Sequence, residues 1–310
     1  MATVVITGGT GLIGQALTKE LIRLNYDVIV VSRNAAAKEK AENVRYMQWN
    51  VAAQTLDKRV IEEADFIVHL AGANVAEGRW TAKRKQEIVD SRVQSSALLV
   101  KALHATQNRV KAVISASAIG WYGPDPQIPN PNPFTESNKA AADFLGNTCM
   151  QWEQSIAPVT ELGKRLVILR TGIVLSNSGG AYAEFKKPLR FGIASVLGSG
   201  QQMVSWIHID DIVNLYIEAI ENERWQGVYN AVAPQPASNK QLIKTIAKQR
   251  GGFYITAPVP AIALKTALGE MSIEVLKSTT VSANKVEQAG YTFLFPHIDA
   301  AVQNLYEKAS

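Results

Sequence analysis

Short apolar runs alternate with helical periods along the first half of the chain. Apolar residues spaced three or four apart predict helices, as at Ile13, Leu17 and Leu21. Between such segments, short runs rich in β-branched residues lack polar alternation, which indicates strands buried on both faces. These runs are residues 3–6, 28–31, 66–70, 112–115 and 166–169. Strands that alternate with helices predict right-handed crossovers, and therefore an α/β protein with a doubly wound parallel sheet.

The alternation becomes irregular after Thr171. Residues 176–180 (SNSGG) and the glycine stretch at 198–200 indicate loops. Residues 205–233 return to a strand, a helix and a strand, whereas 234–310 are predicted to be mainly helical with breaks at prolines. We therefore expect a larger domain formed by residues 1–175 plus 205–233. Residues 176–204 plus 234–310 would form a smaller, mainly helical region.

Composition narrows the classes of protein. The 310 residues are 47% hydrophobic and 19% charged, which is typical of a globular protein, and the net charge of +5 is read as a mild, dispersed excess. This favours anionic small molecules over nucleic acid as partners. Cys149 is the only cysteine, which excludes an internal disulfide and favours a reducing compartment. With neither a leader pattern nor a long apolar stretch in view, the expectation is a cytoplasmic protein without a membrane partner.

The sharpest local motif is TGGTGLIG at residues 7–14, between the first predicted strand and the first helix. Gly8 and Gly11 permit tight turns and close approach of backbone amides to phosphate, and Gly14 removes a side chain where helix and strand pack. A helix that begins near Leu12 directs free N–H groups and its positive dipole end at an anion. The motif therefore predicts a dinucleotide site, and thus a role for the larger domain. The residues expected to bind the cofactor here are Gly8, Thr10, Gly11, Leu12 and Ile13.

The end of the second predicted strand distinguishes the two nicotinamide cofactors. NAD-binding proteins usually carry an acidic residue there, but this chain has Ser32 and Arg33. Ser32 can donate a hydrogen bond and Arg33 a charge-assisted one to a 2′-phosphate. The sequence thus predicts NADP(H) in preference to NAD(H), the plainer alternative being a solvated arginine after a strand.

Further motifs carry a family resemblance: VHLAGA (68–73), ISAS followed by WYG (114–123), LRTGIVLS (169–176) and WIHIDDI (206–212). With the glycine motif, they resemble the extended short-chain dehydrogenase/reductases, the NAD(P)-dependent epimerases and dehydratases, over nearly the whole chain. RWTAKRKQEIVDSR (79–92), LGSGQQMVSWIHIDD (197–211) and PVPAIALKTALGEMSIEVL (258–276) resemble a branch labelled sugar-nucleotide-epimerase-like. The resemblance implies a Rossmann fold. It also implies that Leu70, Ala71, Gly72, Glu87 and Arg92 border the cofactor, with residues 83–85 facing solvent.

The resemblance also identifies a departure at the catalytic centre. Active relatives pair a Ser or Thr after the fifth strand with a Tyr-x-x-x-Lys on the next helix, whose tyrosine transfers the proton. Ser117 matches the serine, but the Tyr and Lys positions fall on Phe144 and Thr148, which cannot do this chemistry. Tyr122 of the WYG motif is the candidate substitute, and Arg92 the candidate cation. The literal Tyr-x-x-x-Lys at residues 182–186 lies beyond the sixth strand and is interpreted as chance.

Three residues are expected on the substrate side. Arg190 is a candidate to meet a phosphate or diphosphate, as is the LGSGQQ loop (197–202), and Trp206 and His208 border the inferred cleft. Asp210 or Asp211 is the expected N-cap of the following helix. The histidines are scattered without carboxylates at ligand spacing, so no metal site is predicted.

The leading hypothesis from sequence is an NADP-dependent oxidoreductase or epimerase-like enzyme. Its substrate would be a small carbonyl or hydroxyl compound, with sugar nucleotides among the candidates. The alternative is a catalytically impaired NADP(H)-binding sensor or scaffold, motivated by the missing tyrosine and lysine. Expected partners are a small-molecule substrate and no nucleic acid, with a homodimer left open.

Overall fold

The computed structural model describes residues 1–35 and 43–308. The strands are β1 (Thr3–Thr7), β2 (Asp27–Ser32), β3 (Val44–Asn50), β4 (Thr55–Leu56), β5 (Phe66–His69), β6 (Ala112–Ala118), β7 (Arg165–Thr171), β8 (Ile173–Leu175), β9 (Ile193–Leu197), β10 (Met203–Val204), β11 (Trp206–His208), β12 (Gly227–Ala231), β13 (Ala237–Ser238) and β14 (Ile255–Val259). The helices are α1 (Leu12–Arg23), α2 (Arg59–Glu62), α3 (Ala82–Ala105), α4 (Phe144–Ile156), α5 (Gly180–Leu189), α6 (Ile209–Glu221), α7 (Asn239–Arg250), α8 (Ala261–Leu268), α9 (Ser272–Leu276), α10 (Asn284–Gln288) and α11 (Ile298–Glu307).

Within those ranges, the central sheet has eight strands in the order β12-β7-β6-β5-β1-β2-β3-β4. Neighbouring strands are parallel except for the short antiparallel pair of β3 and β4. The doubly wound α/β prediction is confirmed, and the five predicted runs form β1, β2, β5, β6 and β7. The strand order reverses between β1 and β5, and ligands of such sheets bind in the crevice outside the carboxyl ends at this point.

Helices cover both faces of the sheet because successive strand residues point to opposite sides. Ile6 packs with Leu17 and Leu21 of α1 on one face. Val5 packs with Leu99 and Leu103 of α3 on the other. The two apolar layers hold β1 and its neighbours in place beneath the crevice.

A third apolar cluster lies in the second part of the chain. Tyr182 of α5, Leu242 of α7 and Leu305 of α11 pack there around Val196 of β9. This region was predicted to be mainly helical, but it also contains the parallel pair of β9 and β14. The pair lacked a buried-strand pattern because Ile193 and Ile255 are exposed.

Among the described residues, no helix has the length and apolar character needed to cross a membrane. In the same ranges, no cluster of three or more His, Cys, Asp or Glu is arranged to hold a metal ion.

Candidate active site

The turn after β1 lies at the reversal of strand order and packs directly on the chain that follows β5. Gly8 has a φ of 71°, a left-handed conformation that favours glycine. Its carbonyl accepts a hydrogen bond from the Gly11 amide at 3.0 Å. A Cβ added at Gly8 would lie only 2.7 Å from the carbonyl carbon of Leu70. Glycine at this position therefore brings the two backbone segments of the crevice together.

Helix α1 begins at the mouth of the same crevice. Its N-cap is Gly11, which has no side chain to satisfy the amides of the first turn, and Leu12 and Ile13 are partly exposed there. A Cβ at Gly14 would lie 2.5 Å from the Cα of Gly9, so the helix and the turn are in close contact. Exposed Thr10 completes the turn, and its carbonyl accepts from Gln15 Nε2 at 2.8 Å. The free amides and the helix dipole suit a diphosphate.

The carboxyl end of β2 forms the neighbouring part of the crevice, since Val31 of β2 is paired with Thr7 of β1. Ser32 is half-buried, and its Oγ accepts from the Asn34 amide at 3.3 Å. Arg33 is exposed. Residues 32–35 are Ser, Arg, Asn and Ala, so this end of the strand carries a cation and no carboxylate.

The opposite wall follows β5 and is backed by α3. Leu70 and Ala71 are half-buried and Gly72 is exposed. A Cβ at Gly72 would lie 3.1 Å from Cζ of Arg92, so the guanidinium lies beside this loop. Arg92 donates to the Ile88 carbonyl at 2.8 Å. Its Cζ also lies 4.9 Å from the ring centroid of Trp152. Burial lowers the pKa of Arg92, although arginine remains charged in proteins.

The first turns of α3 differ in part from expectation. Lys83 is exposed as predicted, and Glu87 accepts from Arg84 at 2.8 Å. The prediction that residues 83–85 all face solvent is wrong for two of them. Arg84 is mostly buried by its bonds to Glu87 and the Asn74 carbonyl, and Lys85 forms an ion pair with Glu270. The Lys85–Glu270 ion pair connects the start of α3 with the C-terminal segment.

A buried polar chain ties β1, β5 and α3 together below the crevice. Thr7 Oγ1 lies 2.7 Å from His69 Nδ1, and His69 Nε2 lies 3.1 Å from Ser96 Oγ. Burial lowers the pKa of His69 to about 3, so the ring is neutral at physiological pH. His69 therefore acts as a structural link between the strands that define the crevice.

Ser117, the predicted catalytic serine, belongs to a buried ionic network. Its Oγ donates to Glu153 Oε1 at 2.6 Å, and the carboxylate of Glu153 also accepts two bonds from Arg170, at 2.8 and 2.9 Å. Glu153 is on α4 and Arg170 is on β7, and both are buried. The hydrogen of Ser117 is thus directed at Glu153, which leaves the lone pairs of Oγ for another donor.

Tyr122, the other predicted catalytic residue, is fully buried at the far side of the same network. Its hydroxyl donates to Asn230 Oδ1 at 2.7 Å and accepts from Arg170 at 3.1 Å. Burial raises the pKa of Tyr122 to about 12. Arg170 also stacks on Trp121, with 3.6 Å between Cζ and the ring centroid. The phenolic proton is therefore already used inside the protein.

Helix α4 has the sequence FLGNTCMQWEQSI, which contains neither tyrosine nor lysine. Thr148 Oγ1 donates to the Phe144 carbonyl within the helix at 2.7 Å. The helix face turned toward the loop after β6 lies one residue further along than predicted. A Cβ at Gly120 would contact Leu145 and Cys149 side chains, and Glu153 continues that face one turn later. The absence of the Tyr–Lys pair holds in either register.

On the substrate side, the structure contradicts two expectations. Trp206 and His208 are both 0% exposed, so neither side chain offers a surface to a ligand. The N-cap of α6 is His208 rather than Asp210 or Asp211, because His208 Nδ1 accepts from the Asp210 amide at 3.1 Å. Burial lowers the pKa of His208 to about 4, which preserves the neutral acceptor.

Arg190 and the LGSGQQ loop do not lie together. Arg190 is exposed just before β9, whereas the loop begins at the last residue of that strand. Five residues of strand span about 15 Å. Each of the two therefore stays a separate predicted contact for a phosphate or diphosphate.

Sequence reasoning missed the polar residues that the C-terminal segment adds. Lys277 Nζ lies 3.3 Å from the Tyr122 carbonyl and 2.7 Å from a Glu274 carboxylate oxygen. Burial raises the pKa of Glu274. Arg79, before α3, donates to the carbonyls of Thr266 and Ala267. For the buried network of Ser117, Glu153 and Tyr122, the sequence did contain a signal, because Arg170 is a charged residue inside the apolar stretch that forms β7.

Comparison with known proteins finds two family models that match this chain. The model of the NAD dependent epimerase/dehydratase family matches residues 4–144, and a domain of unknown function (DUF1731) matches residues 259–305. An epimerase family protein of Staphylococcus aureus is 34% identical over 309 residues, which cover 99% of this chain and 100% of the relative. One from Staphylococcus saprophyticus is 35% identical over 301 residues, with 97% and 98% coverage.

Two solved structures extend this comparison. Human epimerase family protein SDR39U1 with NADPH has a TM-score of 0.87 and 29% identity, over 98% of this chain and 99% of that one. A nucleoside-diphosphate sugar epimerase from Corynebacterium glutamicum has a TM-score of 0.77 and 32% identity, over 99% of this chain but 58% of that one. The fold and the crevice define a Rossmann-type α/β protein, with a glycine turn of the kind that suits a diphosphate. The chain belongs to the NAD-dependent epimerase/dehydratase family, among its epimerase family proteins.

Proposed function

We propose that this protein is an NADP(H)-dependent oxidoreductase that acts on a small carbonyl or hydroxyl compound, with nucleotide sugars as the first substrate class to test. The observation that carries the proposal is the glycine turn at the reversal of strand order, next to a strand that ends in Ser32 and Arg33. The NADPH in the structure of the human relative supports the same cofactor. The Corynebacterium relative, called a nucleoside-diphosphate sugar epimerase, supports the substrate class.

The residues around the crevice take distinct roles in this proposal. The turn from Gly8 to Ile13 holds the diphosphate, Ser32 and Arg33 hold the 2′-phosphate, and residues 70–72 border the path toward the nicotinamide. Glu87 and Arg92 remain proposed neighbours of the cofactor from α3. Bound NADPH supplies a hydride at C4 of its nicotinamide.

Ser117 and Tyr122 have different roles in this proposal. Because Ser117 Oγ donates to Glu153, it is placed to accept a hydrogen bond from a substrate hydroxyl and to orient that group. Tyr122 instead fixes Arg170, which in turn holds Glu153. Tyr122 is thus a positioning residue for Ser117 rather than a proton donor.

The proposal includes the division of the chain into two regions that the sequence predicts. The separate apolar cluster around Tyr182 and Leu242 supports residues 176–204 plus 234–310 as the substrate-binding region. Residues 1–175 plus 205–233 then form the cofactor domain. The contacts of Arg79 and Lys85 with residues 266–270 join the two across the mouth of the crevice.

A second function is favoured by one specific observation. Helix α4 carries no residue able to transfer a proton at the Tyr–Lys positions, and the hydrogens of Ser117 and Tyr122 are used internally. A protein of this kind could bind NADP(H) as a sensor or scaffold without turnover. Both functions use the same cofactor crevice, so a measurement of catalytic turnover distinguishes the enzyme from the sensor.

Calorimetry with NADPH and NADH tests the cofactor. We expect NADPH to bind more tightly, and Arg33→Ala to weaken NADPH binding by about tenfold while leaving NADH unchanged, because only the 2′-phosphate contacts Arg33. Arg45→Ala, on the opposite end of neighbouring β3, is the matched control and should change neither affinity. Tighter binding of NADH would contradict the proposal.

Oxidation of NADPH with aldehydes and ketones, and reduction of NADP+ with alcohols and nucleotide sugars, test the reaction in its two directions. We expect at least one compound to react, and Ser117→Ala to lower kcat with little change in NADPH affinity. If the cofactor binds but no compound reacts in either direction, the sensor function replaces the enzyme.

A further inference from the structure

Two phenylalanines project from the substrate-binding region at the starting end of the β9–β14 pair. Phe191 is 84% exposed and Phe253 is 82% exposed, more than any other large apolar side chain in the described ranges. Each lies two residues before an exposed isoleucine, Ile193 or Ile255, and these two are direct partners in the strand register. The Ile255 amide donates to the Gly192 carbonyl at 2.8 Å, which fixes the two loops side by side.

The positive charge of the protein is concentrated around these residues. Residues 184–191 and 244–254 contain six Lys or Arg and one Glu, a net charge of +5, which equals that of the whole chain. The other residues are therefore neutral in sum. Among the described residues, only Lys187 of these six forms an ion pair, with Glu184, and Lys186 donates to Asn177 Oδ1 at 2.9 Å. We call the two phenylalanines, the two isoleucines and these six basic residues the basic aromatic face.

The chemistry of this face selects one kind of partner. Exposed aromatic tips surrounded by cations suit the boundary between headgroups and acyl chains of a bilayer with anionic lipid. A second copy of the chain would bring charges of the same sign together, which opposes a symmetric interface. Nucleic acid would meet the cations, but the aliphatic Ile193 and Ile255 do not stack on bases as aromatic rings do.

The position of the face leaves the crevice accessible. Because β9 and β14 are parallel, both strands start at the face and end together, where the Gly198 amide donates to the Val259 carbonyl at 2.9 Å. Leu276 contacts Gly198 at that far end, and Lys277 next to it reaches the Tyr122 carbonyl. The face and the candidate active site thus lie at opposite ends of the strand pair.

We propose that the basic aromatic face docks this protein onto the surface of anionic phospholipid membranes. Phe191 and Phe253 insert among the headgroups, and the lysines and arginines contact lipid phosphates and carboxylates. The absence of a membrane-spanning helix does not bear on a surface contact of this type. The inference is independent of the proposed function, since it rests on residues outside the crevice.

Co-sedimentation with lipid vesicles tests the proposal on the full-length protein. We expect binding to vesicles of phosphatidylcholine with phosphatidylserine, weak binding to phosphatidylcholine alone, and release by salt. F191S/F253S and K244E/K248E should each lower vesicle affinity about tenfold or more, because they remove the apolar and the electrostatic contributions. Melting temperature and NADPH affinity of each variant confirm that the fold is kept.

Matched controls make the result specific to this face. I262S removes an isoleucine that is 78% exposed on α8, and K19E/K101E reverses two exposed lysines on α1 and α3; both should bind vesicles like the unmodified protein. Equal binding to neutral vesicles, or unchanged binding by F191S/F253S, would overturn the proposal. The proposal would also be overturned if sedimentation velocity showed a dimer that F191S/F253S dissociates, because the face would then bind a second copy of the chain. Binding to an oligonucleotide but not to vesicles would instead assign the face to nucleic acid.

Discussion

The two halves of the candidate active site are built in different ways. Around the first turn, binding capacity lies in the backbone, where Gly8, Gly11 and Gly14 permit close approach and free amides. Between β6 and α4, the site depends on side chains, and Ser117 and Glu153 are joined in a buried network. The first half offers backbone amides at the start of a helix, whereas α4 in the second half contains neither tyrosine nor lysine.

This difference shows that binding and proton transfer are under separate physical control. A backbone site needs only small residues and a helix start, so substitutions elsewhere leave it intact. A proton donor needs a titratable side chain whose hydrogen is not already used. In this protein the same network that positions Ser117 also consumes the hydrogen of Tyr122.

The largest expected effect comes from breaking the side-chain half. Glu153→Ala leaves Arg170 buried without its carboxylate, so the free energy of unfolding should fall by about 3–5 kcal/mol. Urea denaturation measures this. Glu161→Ala, at an exposed position beyond α4, is the control and should change stability by less than about 0.5 kcal/mol. A loss below about 1 kcal/mol for Glu153→Ala would show that the network does not stabilise this half.

Breaking the backbone half should affect the cofactor more than the fold. Gly8→Ala places a Cβ against the Leu70 carbonyl and should weaken NADPH binding by about a hundredfold or more, measured by calorimetry. Gly78→Ala is a matched control, because Gly78 also has a positive φ, 77°, but nothing lies within 4 Å of its added Cβ. If Gly8→Ala bound NADPH as tightly as Gly78→Ala, the close approach of Gly8 to the Leu70 carbonyl would not be needed for cofactor binding.

The third prediction concerns the link beneath the crevice. The pKa of His69 is about 3 in the folded protein and about 6.5 when unfolded, so below pH 6.5 only the unfolded chain takes up this proton. Stability is therefore intact above that pH and falls as pH decreases, by about 1.4 kcal/mol per unit for one such group. His208, with a pKa of about 4, contributes in the same direction.

Urea denaturation from pH 7 to pH 4 measures this dependence. His69→Gln should reduce the slope of stability against pH by about one proton relative to the unmodified protein. An unaltered slope in His69→Gln would mean that His69 does not titrate differently on unfolding.

The sequence predicted the parts of the fold that depend on local patterns. Continuous apolar runs predicted β1, β2, β5, β6 and β7, and the glycine motif predicted the tight turn between β1 and α1. The Ser117–Glu153–Arg170 network was missed because its members come from three distant segments, and only the fold brings them together. His208 as an N-cap was missed because histidine is not among the usual capping residues. The cluster of basic residues around Phe191 was missed because these residues come from two segments about fifty residues apart, which only the fold brings together.

The single thiol has a practical consequence. Cys149 is buried beneath the loop after β6, and burial raises its pKa to about 12, so little thiolate is available to react with alkylating or oxidising reagents. One cysteine introduced at a surface position would therefore be the preferred site of modification. Fluorophores or spin labels can then be attached at chosen points of the natural chain without first replacing its own sulfhydryl.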